Sequence, residues 1–301
     1  MIAPDHCKWG CLPLCLLLLL AASPAAIAQS KSTGTGTGTI ETIRVATGVP
    51  GRRATLKVWT YRPRTLMPDS RVLIVVHGAS RNAGDYLDAW IPTADKRNLL
   101  LLAPSFTKSA WPAYNRGRLF RGDGTRRPRE QSAFGAMEKA FDEAVRRYGN
   151  RQRNYYIFGH SAGAQFVHRL VMLYEGHRAT RAAAANAGWY TLPTLQASFP
   201  YGLRDIGIAD ADIRRMLGEP LTVVLGLDDI DPHHHRLRQD AGASAQGRTR
   251  LARGRNFLEV ARSQANRTGA VFNWPLIEVP GVAHNHKKIV PAAARALFGD
   301  D

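Results

Sequence analysis

Residues 155–163 read Tyr155-Tyr156-Ile157-Phe158-Gly159-His160-Ser161-Ala162-Gly163. The first four are apolar or aromatic and read as a short buried strand. From Ala162 to about Tyr174 the apolar spacing is helical. Between strand and helix stands Gly-x-Ser-x-Gly. As a bare string the match is weak, since chance supplies about one in ten chains of this length. The strand–turn–helix setting is what makes it informative. A sharp turn crowds the residues two before and two after the serine, and glycine at 159 and 163 relieves the clash. Ser161 Oγ is then lifted above the sheet edge, beside the start of a helix. The plain alternative is a strand-to-helix loop with a capping serine.

Outward from this point, strand and helix patterns alternate. Stretches 41–47 and 54–61 alternate polar and apolar residues around the turn Gly48-Val49-Pro50-Gly51, as half-buried antiparallel strands do. Residues 71–76 form a continuous apolar run ending at His77-Gly78, which suits a strand buried on both faces. Further strands are expected at 98–103, 154–159, 182–187, 221–225 and 271–279. Helices are expected at 83–97, 131–148, 162–174, 210–217, 251–268 and 291–298. This order predicts an α/β fold with a doubly wound, mostly parallel sheet and helices on both faces. No internal repeat or linker divides 41–301, so one domain is expected there. Two pattern-poor stretches, 104–130 and 191–219, are expected to shape a pocket.

A serine needs a histidine base and a carboxylate to orient that base. With the nucleophile on such a turn, the chain order is Ser, acid, His. The strand 221–225 runs into Gly226-Leu227-Asp228-Asp229-Ile230-Asp231. Asp228, Asp229 and Asp231 compete for the acid position. The last strand leads through Pro280-Gly281 to His284, with His286 as the fallback. Donors for an oxyanion are expected from the backbone N–H of Ala162 and of Ala79, the latter on the loop after 71–76. Trp111, Tyr114, Trp189 and Tyr190 fall in loops at the same sheet edge and are candidates for lining a substrate pocket. His233-His234-His235 resembles a metal site, but adjacent side chains of a regular element point apart, so no metal is expected. His160 and His168 read as packing or surface residues.

The ends bound the setting. Residues 1–28 read as a signal peptide: Lys8, an apolar run through Leu20, and Ala26-Ile27-Ala28 before a mature start at Gln29. Residues 29–40 read as a flexible Gly/Thr leader. All three cysteines (Cys7, Cys11, Cys15) lie in the signal peptide, so the mature chain has no disulfide or thiolate chemistry. An exported protein, periplasmic or secreted, is expected, without a membrane span after cleavage. The net charge is +17, with the basic residues scattered and no nucleic-acid module. Nucleic acid is therefore not an expected partner; weak attraction to anionic surfaces is.

These motifs carry a family likeness. Stretches 75–90 (VVHGASRNAGDYLDAW), 100–106 (LLLAPSF), 155–170 (YYIFGHSAGAQFVHRL), 226–231 (GLDDID) and 279–286 (VPGVAHNH) resemble the α/β-hydrolase superfamily. Within it, the chain is similar to secreted poly(3-hydroxybutyrate) depolymerase-like and feruloyl-esterase-like serine esterases. The resemblance covers about residues 70–290 and implies Ser161 as nucleophile, Asp229 as acid and His284 as base. It implies hydrolysis of carboxylic esters without a cofactor. Depolymerases acting on solid polyester carry an added binding domain, and such esterases often carry disulfides. Soluble esters or short polyester oligomers are therefore the expected substrates. Two other readings stay open: a serine peptidase or amidase on the same triad, and a non-catalytic, basic envelope-binding protein on a hydrolase scaffold.

Overall fold

A computed structural model describes residues 37–49, 51–121 and 124–300. The expected signal peptide and most of the leader lie outside the described residues. Eight strands form one sheet: β1 (Thr39–Ala46), β2 (Thr55–Arg62), β3 (Val72–Val76), β4 (Leu100–Pro104), β5 (Tyr155–His160), β6 (Ala179–Ala185), β7 (Leu221–Gly226) and β8 (Leu276–Val279). The helices are α1 (Ala83–Arg97), α2 (Ala133–Arg147), α3 (Ala162–Leu173), α4 (Asp210–Gly218), α5 (Ala241–Ser244), α6 (Arg250–Thr268) and α7 (His286–Phe298).

The strand order is β1-β2-β4-β3-β5-β6-β7-β8. β1 and β2 pair antiparallel, with Glu41 opposite Thr60, and β2 pairs antiparallel with β4. From β4 to β8 every pairing is parallel. Alternation along the strands divides the core in two. Val72, Ile74 and Val76 face a layer that includes residues of α2, α3, α4 and α6. Leu73 and Val75 face α1 and α7. All five residues of β3 are buried, as a strand covered on both faces requires. The winding reverses at β3, which lies between β4 and β5. A crevice opens at the carboxyl ends of strands at such a reversal.

Three elements differ from the sequence reading by three residues or more at an end, and the short helix α5 has no counterpart in it. β8 begins at Leu276 rather than near 271. β7 begins at Leu221 and pairs Val223 with Leu276, so residues before 274 have little strand left to pair with. Pro275 offers only its carbonyl, to Val223 N–H. α7 begins at His286, not Pro291, because the Asn285 side chain accepts from Lys287 and Lys288 N–H and caps the helix early. β6 starts at Ala179 and stops at Ala185, so Asn186 falls at its end with φ 48°.

Ile74 is buried in the middle of β3 between β4 and β5. Ile74→Ala is expected to cost roughly 2–5 kcal/mol of unfolding free energy, read from urea melts of the two proteins.

Candidate active site

The turn after β5 is as tight as the sequence demands. Ser161 has φ 59° and ψ −118°, a backbone conformation that L residues rarely adopt. A Cβ on Gly159 would collide with the Gly163 carbonyl, and one on Gly163 with the Val76 carbonyl. The α3 N-terminus thus presses directly against the ends of β5 and β3. Ser161 stands at the N-cap position of α3, but its side chain makes no capping bond. Its N–H donates to Ala185 O at 2.9 Å, which ties the turn to β6.

His284 bridges two of the residues named by the sequence. Its Nε2 lies 3.0 Å from Ser161 Oγ, and its Nδ1 lies 2.7 Å from Asp229 Oδ2. Asp229 is only 3% exposed, whereas Asp228 and Asp231 are exposed. Asp231 accepts from His233 N–H instead. His286, the fallback base, stacks on Tyr86 with ring centroids 4.1 Å apart. Three loops must meet to hold this array. Asn186 joins them: its side chain accepts from Gly226 N–H and donates to Ala283 O. Backbone bonds from Leu227 to Val279 and from Asp228 to Val282 complete the seam between the acid and histidine loops.

The loop after β3 is fixed as firmly. His77 is fully buried, and its Nε2 accepts from Phe106 N–H at 3.1 Å. Its Nδ1 therefore carries the hydrogen and donates to Gly78 O at 3.0 Å. The Tyr114 hydroxyl donates to the carbonyls of His77 and Gly78. Arg81 donates to Phe106 O and, at 3.1 Å, to Trp111 O. Ala79 and Ala162 both line the cavity that contains Ser161. Ala162 opens α3, where the first N–H groups lack intrahelical acceptors.

That cavity holds about 400 Å³. Tyr114 and Trp189 line it; Trp111 and Tyr190 do not. The Trp111 ring instead packs edge-on against Phe106, and Tyr190 stacks on Phe257. Both aromatics sit in loops, but their rings turn inward because the core beneath has apolar surface to cover. Stretch 104–130 contributes Lys108, Pro112, Ala113, Tyr114 and Asn115. Stretch 191–219 contributes none of the lining, contrary to expectation. Its Phe199, Pro200, Asp205 and Ile206 border a separate cleft of about 510 Å³.

Several functional candidates were invisible to pattern reading. The Ser161 cavity is lined by Arg81, Lys108, Arg236 and Arg238 and by no acidic residue. Among the described residues only Arg238 of these four has a carboxylate partner, Asp240. Arg250 is 1% exposed and donates to the second oxygen of Asp229 at 3.1 Å. Its other terminal nitrogen donates to His234 Nδ1 at 3.1 Å. The run 233–235 lies in a turn, not a regular element. There the rings of His234 and His235 stack at 4.7 Å rather than pointing apart. No cluster of potential metal ligands occurs among the described residues. His160 is buried and stands 4.5 Å from the His284 ring, with its Nδ1 3.0 Å from the Tyr86 hydroxyl. Burial, with the nearby His284, holds His160 well below the usual imidazole range.

Comparison with solved structures decides the family. The chain is 37% identical to poly(aspartic acid) hydrolase-1 of Sphingomonas sp. KT-1, over 92% of this chain and all of that one, with a TM-score of 0.79. The chain belongs to the α/β-hydrolase superfamily. Within that superfamily it is also 37% identical to a poly(3-hydroxybutyrate) depolymerase of Bordetella parapertussis, over 81% of this chain and 85% of that one, with a TM-score of 0.75. A fluorophosphonate-binding serine hydrolase of Staphylococcus aureus shares the α/β-hydrolase fold at 13% identity and a TM-score of 0.56. No family model and no curated protein matches the chain.

Burial drops His77 from its ordinary 6.5 to about 4, so the unfolded chain takes up a proton first as the pH falls. His77 thus contributes stability that is full above pH 6.5 and is lost as the pH falls toward 4, about 3 kcal/mol in all. Urea unfolding at about pH 7 and about pH 4.5 is expected to show a smaller acid loss in His77→Asn than in wild type. Equal losses would show that His77 does not titrate this way.

Proposed function

We propose that the protein is a serine hydrolase that cleaves carboxylic esters of carboxylate-bearing small molecules or oligomers through an acyl-enzyme. The observation that carries this reading is His284 standing 3.0 Å from Ser161 Oγ and 2.7 Å from a buried carboxylate. Ser161 Oγ attacks the acyl carbonyl while His284 Nε2 takes its proton. Asp229 holds the imidazole with Nδ1–H toward it and stabilises the cation that forms. The N–H groups of Ala79 and Ala162 receive the developing oxyanion. His284 then protonates the leaving alcohol, and water repeats the sequence on the acyl-enzyme. No cofactor enters these steps. The signal-peptide pattern of residues 1–28 adds export to the periplasm or medium, which an N-terminus at Gln29 on the exported protein would support.

The cationic cavity supports the substrate class. Lys108 and Arg236 line the serine cavity with no carboxylate partner among the described residues, while Arg238 is already paired with Asp240, so a neutral acyl chain leaves the charge of Lys108 and Arg236 unanswered and an acidic one does not. The similarity to a hydrolase of poly(aspartic acid), itself a polycarboxylate amide, favours a second reading on the same site. There the scissile bond is an amide between acidic units, and the leaving group protonated by His284 is an amine.

The p-nitrophenyl esters of succinic acid (monoester) and butyric acid separate charge from chain length. The succinate ester is expected to have the higher kcat/KM. Arg236→Ala is expected to lower kcat/KM for it by about tenfold, near 1.4 kcal/mol, with little change for butyrate. Ser161→Ala is expected to lose both activities by ~10⁴-fold or more. Equal use of the two esters would overturn the anionic substrate class, and no release of oligomers from poly(aspartate) would set aside the amide reading.

A further inference from the structure

Asp229 has two carboxylate oxygens, and the hydrolase reading uses only one. Oδ2 faces His284; Oδ1 faces Arg250 at 3.1 Å, with Arg250 and Asp229 1% and 3% exposed. Arg250 is the first residue of α6, whose N-terminus is capped by Thr249. The next residue, Leu251, donates its N–H to the Asp229 backbone carbonyl at 3.3 Å. Helix and acid loop are thus joined by both backbone and side chain. The free arm of the guanidinium reaches His234 Nδ1 at 3.1 Å, and Arg236 N–H donates to the same nitrogen at 3.1 Å. A guanidinium only donates, so this nitrogen is an acceptor and His234 is the neutral imidazole with its hydrogen on Nε2. Burial and the Arg250 charge lower the His234 titration below its usual range, which keeps it in that form.

We infer that Arg250, held by His234, is a positioning residue that orients Asp229 and sets the acid limit of activity. The inference rests on the proposed hydrolase reading. The groups facing this pair number few. Around His284 stand Ser161, Asp229, His160 at 4.5 Å and His234 at 5.5 Å, ring centroid to centroid, with His286 beyond. Around Asp229 stand His284 and Arg250, with His234 and the Tyr190 hydroxyl nearby and the Arg253 cation beside Arg250. Among the described residues Arg250 is the one permanent cation in direct contact with the acid. It pins the carboxylate. Its positive charge also opposes the one that His284 gains from the serine. Removing the charge therefore moves the acid limb of the kcat/KM profile upward. Keeping the charge while losing the planar fork leaves the limb in place and loosens the acid.

The test is the pH profile of kcat/KM on a p-nitrophenyl ester for wild type, Arg250→Lys, Arg250→Gln, His234→Asn and His234→Leu. Arg250→Gln is expected to lower the plateau at least tenfold and to raise the acid limb by about one pH unit. Arg250→Lys is expected to lower the plateau with the limb unmoved. His234→Asn, whose carbonyl can accept both donors, is expected to stay near wild type, and His234→Leu to lose several-fold on the plateau. Equal plateau losses in both Arg250 variants with an unmoved limb would reduce Arg250 to a structural role and overturn the inference. If Arg250→Gln does not fold, the His234 pair decides: equal behaviour of Asn and Leu overturns it. A folded wild type that turns over no ester would sink the hydrolase reading itself, a different result from an unmoved limb.

Discussion

The strained backbone of Ser161 is the constraint on which the rest of this molecule depends. A residue at φ 59° and ψ −118° costs on the order of 1–3 kcal/mol and persists only where its surroundings over-determine it. Here the surroundings are the ends of three neighbouring strands. β5 delivers the chain, β6 accepts the Ser161 N–H, and the Val76 carbonyl of β3 lies where a Gly163 side chain would have to go. The apolar burial of β3, β5 and α3 outweighs the local cost. The same geometry places Oγ over the crevice where the strand order reverses.

Everything else at the site is a loop brought to that point and then fixed. The loop after β3 is clamped from within by the His77 ring, the Tyr114 hydroxyl and Arg81. The loops after β7 and β8 are stitched together through Asn186 and their own backbone bonds. Three of these fixing groups are buried polar side chains whose bonding capacity is largely used. That kind of network specifies one arrangement, because a partly satisfied alternative carries a desolvation penalty. The charged residues divide by role. Arg81 is committed to loop carbonyls at the cavity wall and Arg250 to the buried acid, whereas Lys108 and Arg236 remain at the cavity.

The parallel sheet and the site order were legible because both leave local marks. Buried parallel strands are continuous apolar runs, and β3, β4, β5 and β7 read that way. The serine turn demands glycine at fixed offsets, and the acid and histidine follow the ends of late strands. What was hidden depends on side-chain direction or on distant partners. Trp111 and Tyr190 lie in the expected loops, but whether a ring turns to the cavity or the core is decided by the packing beneath it. Arg250 begins a helix and looks like any surface arginine; only the fold brings it to Asp229. Asn186 follows an alanine strand and offers one faint sign, an asparagine where a positive φ ends a strand. The choice among Asp228, Asp229 and Asp231 needed burial, which three neighbouring aspartates in a turn do not reveal. The early start of α7 shows a capping asparagine outweighing the stronger visual cue of a proline.

The central claim is that Ser161 is an activated nucleophile. Labelling of the folded protein with a fluorophosphonate, read by intact mass for wild type beside Ser161→Ala, tests it most directly. The account requires one adduct on wild type and none on Ser161→Ala. A folded wild type that stays unlabelled would contradict it and leave the converged residues without the chemistry assigned to them.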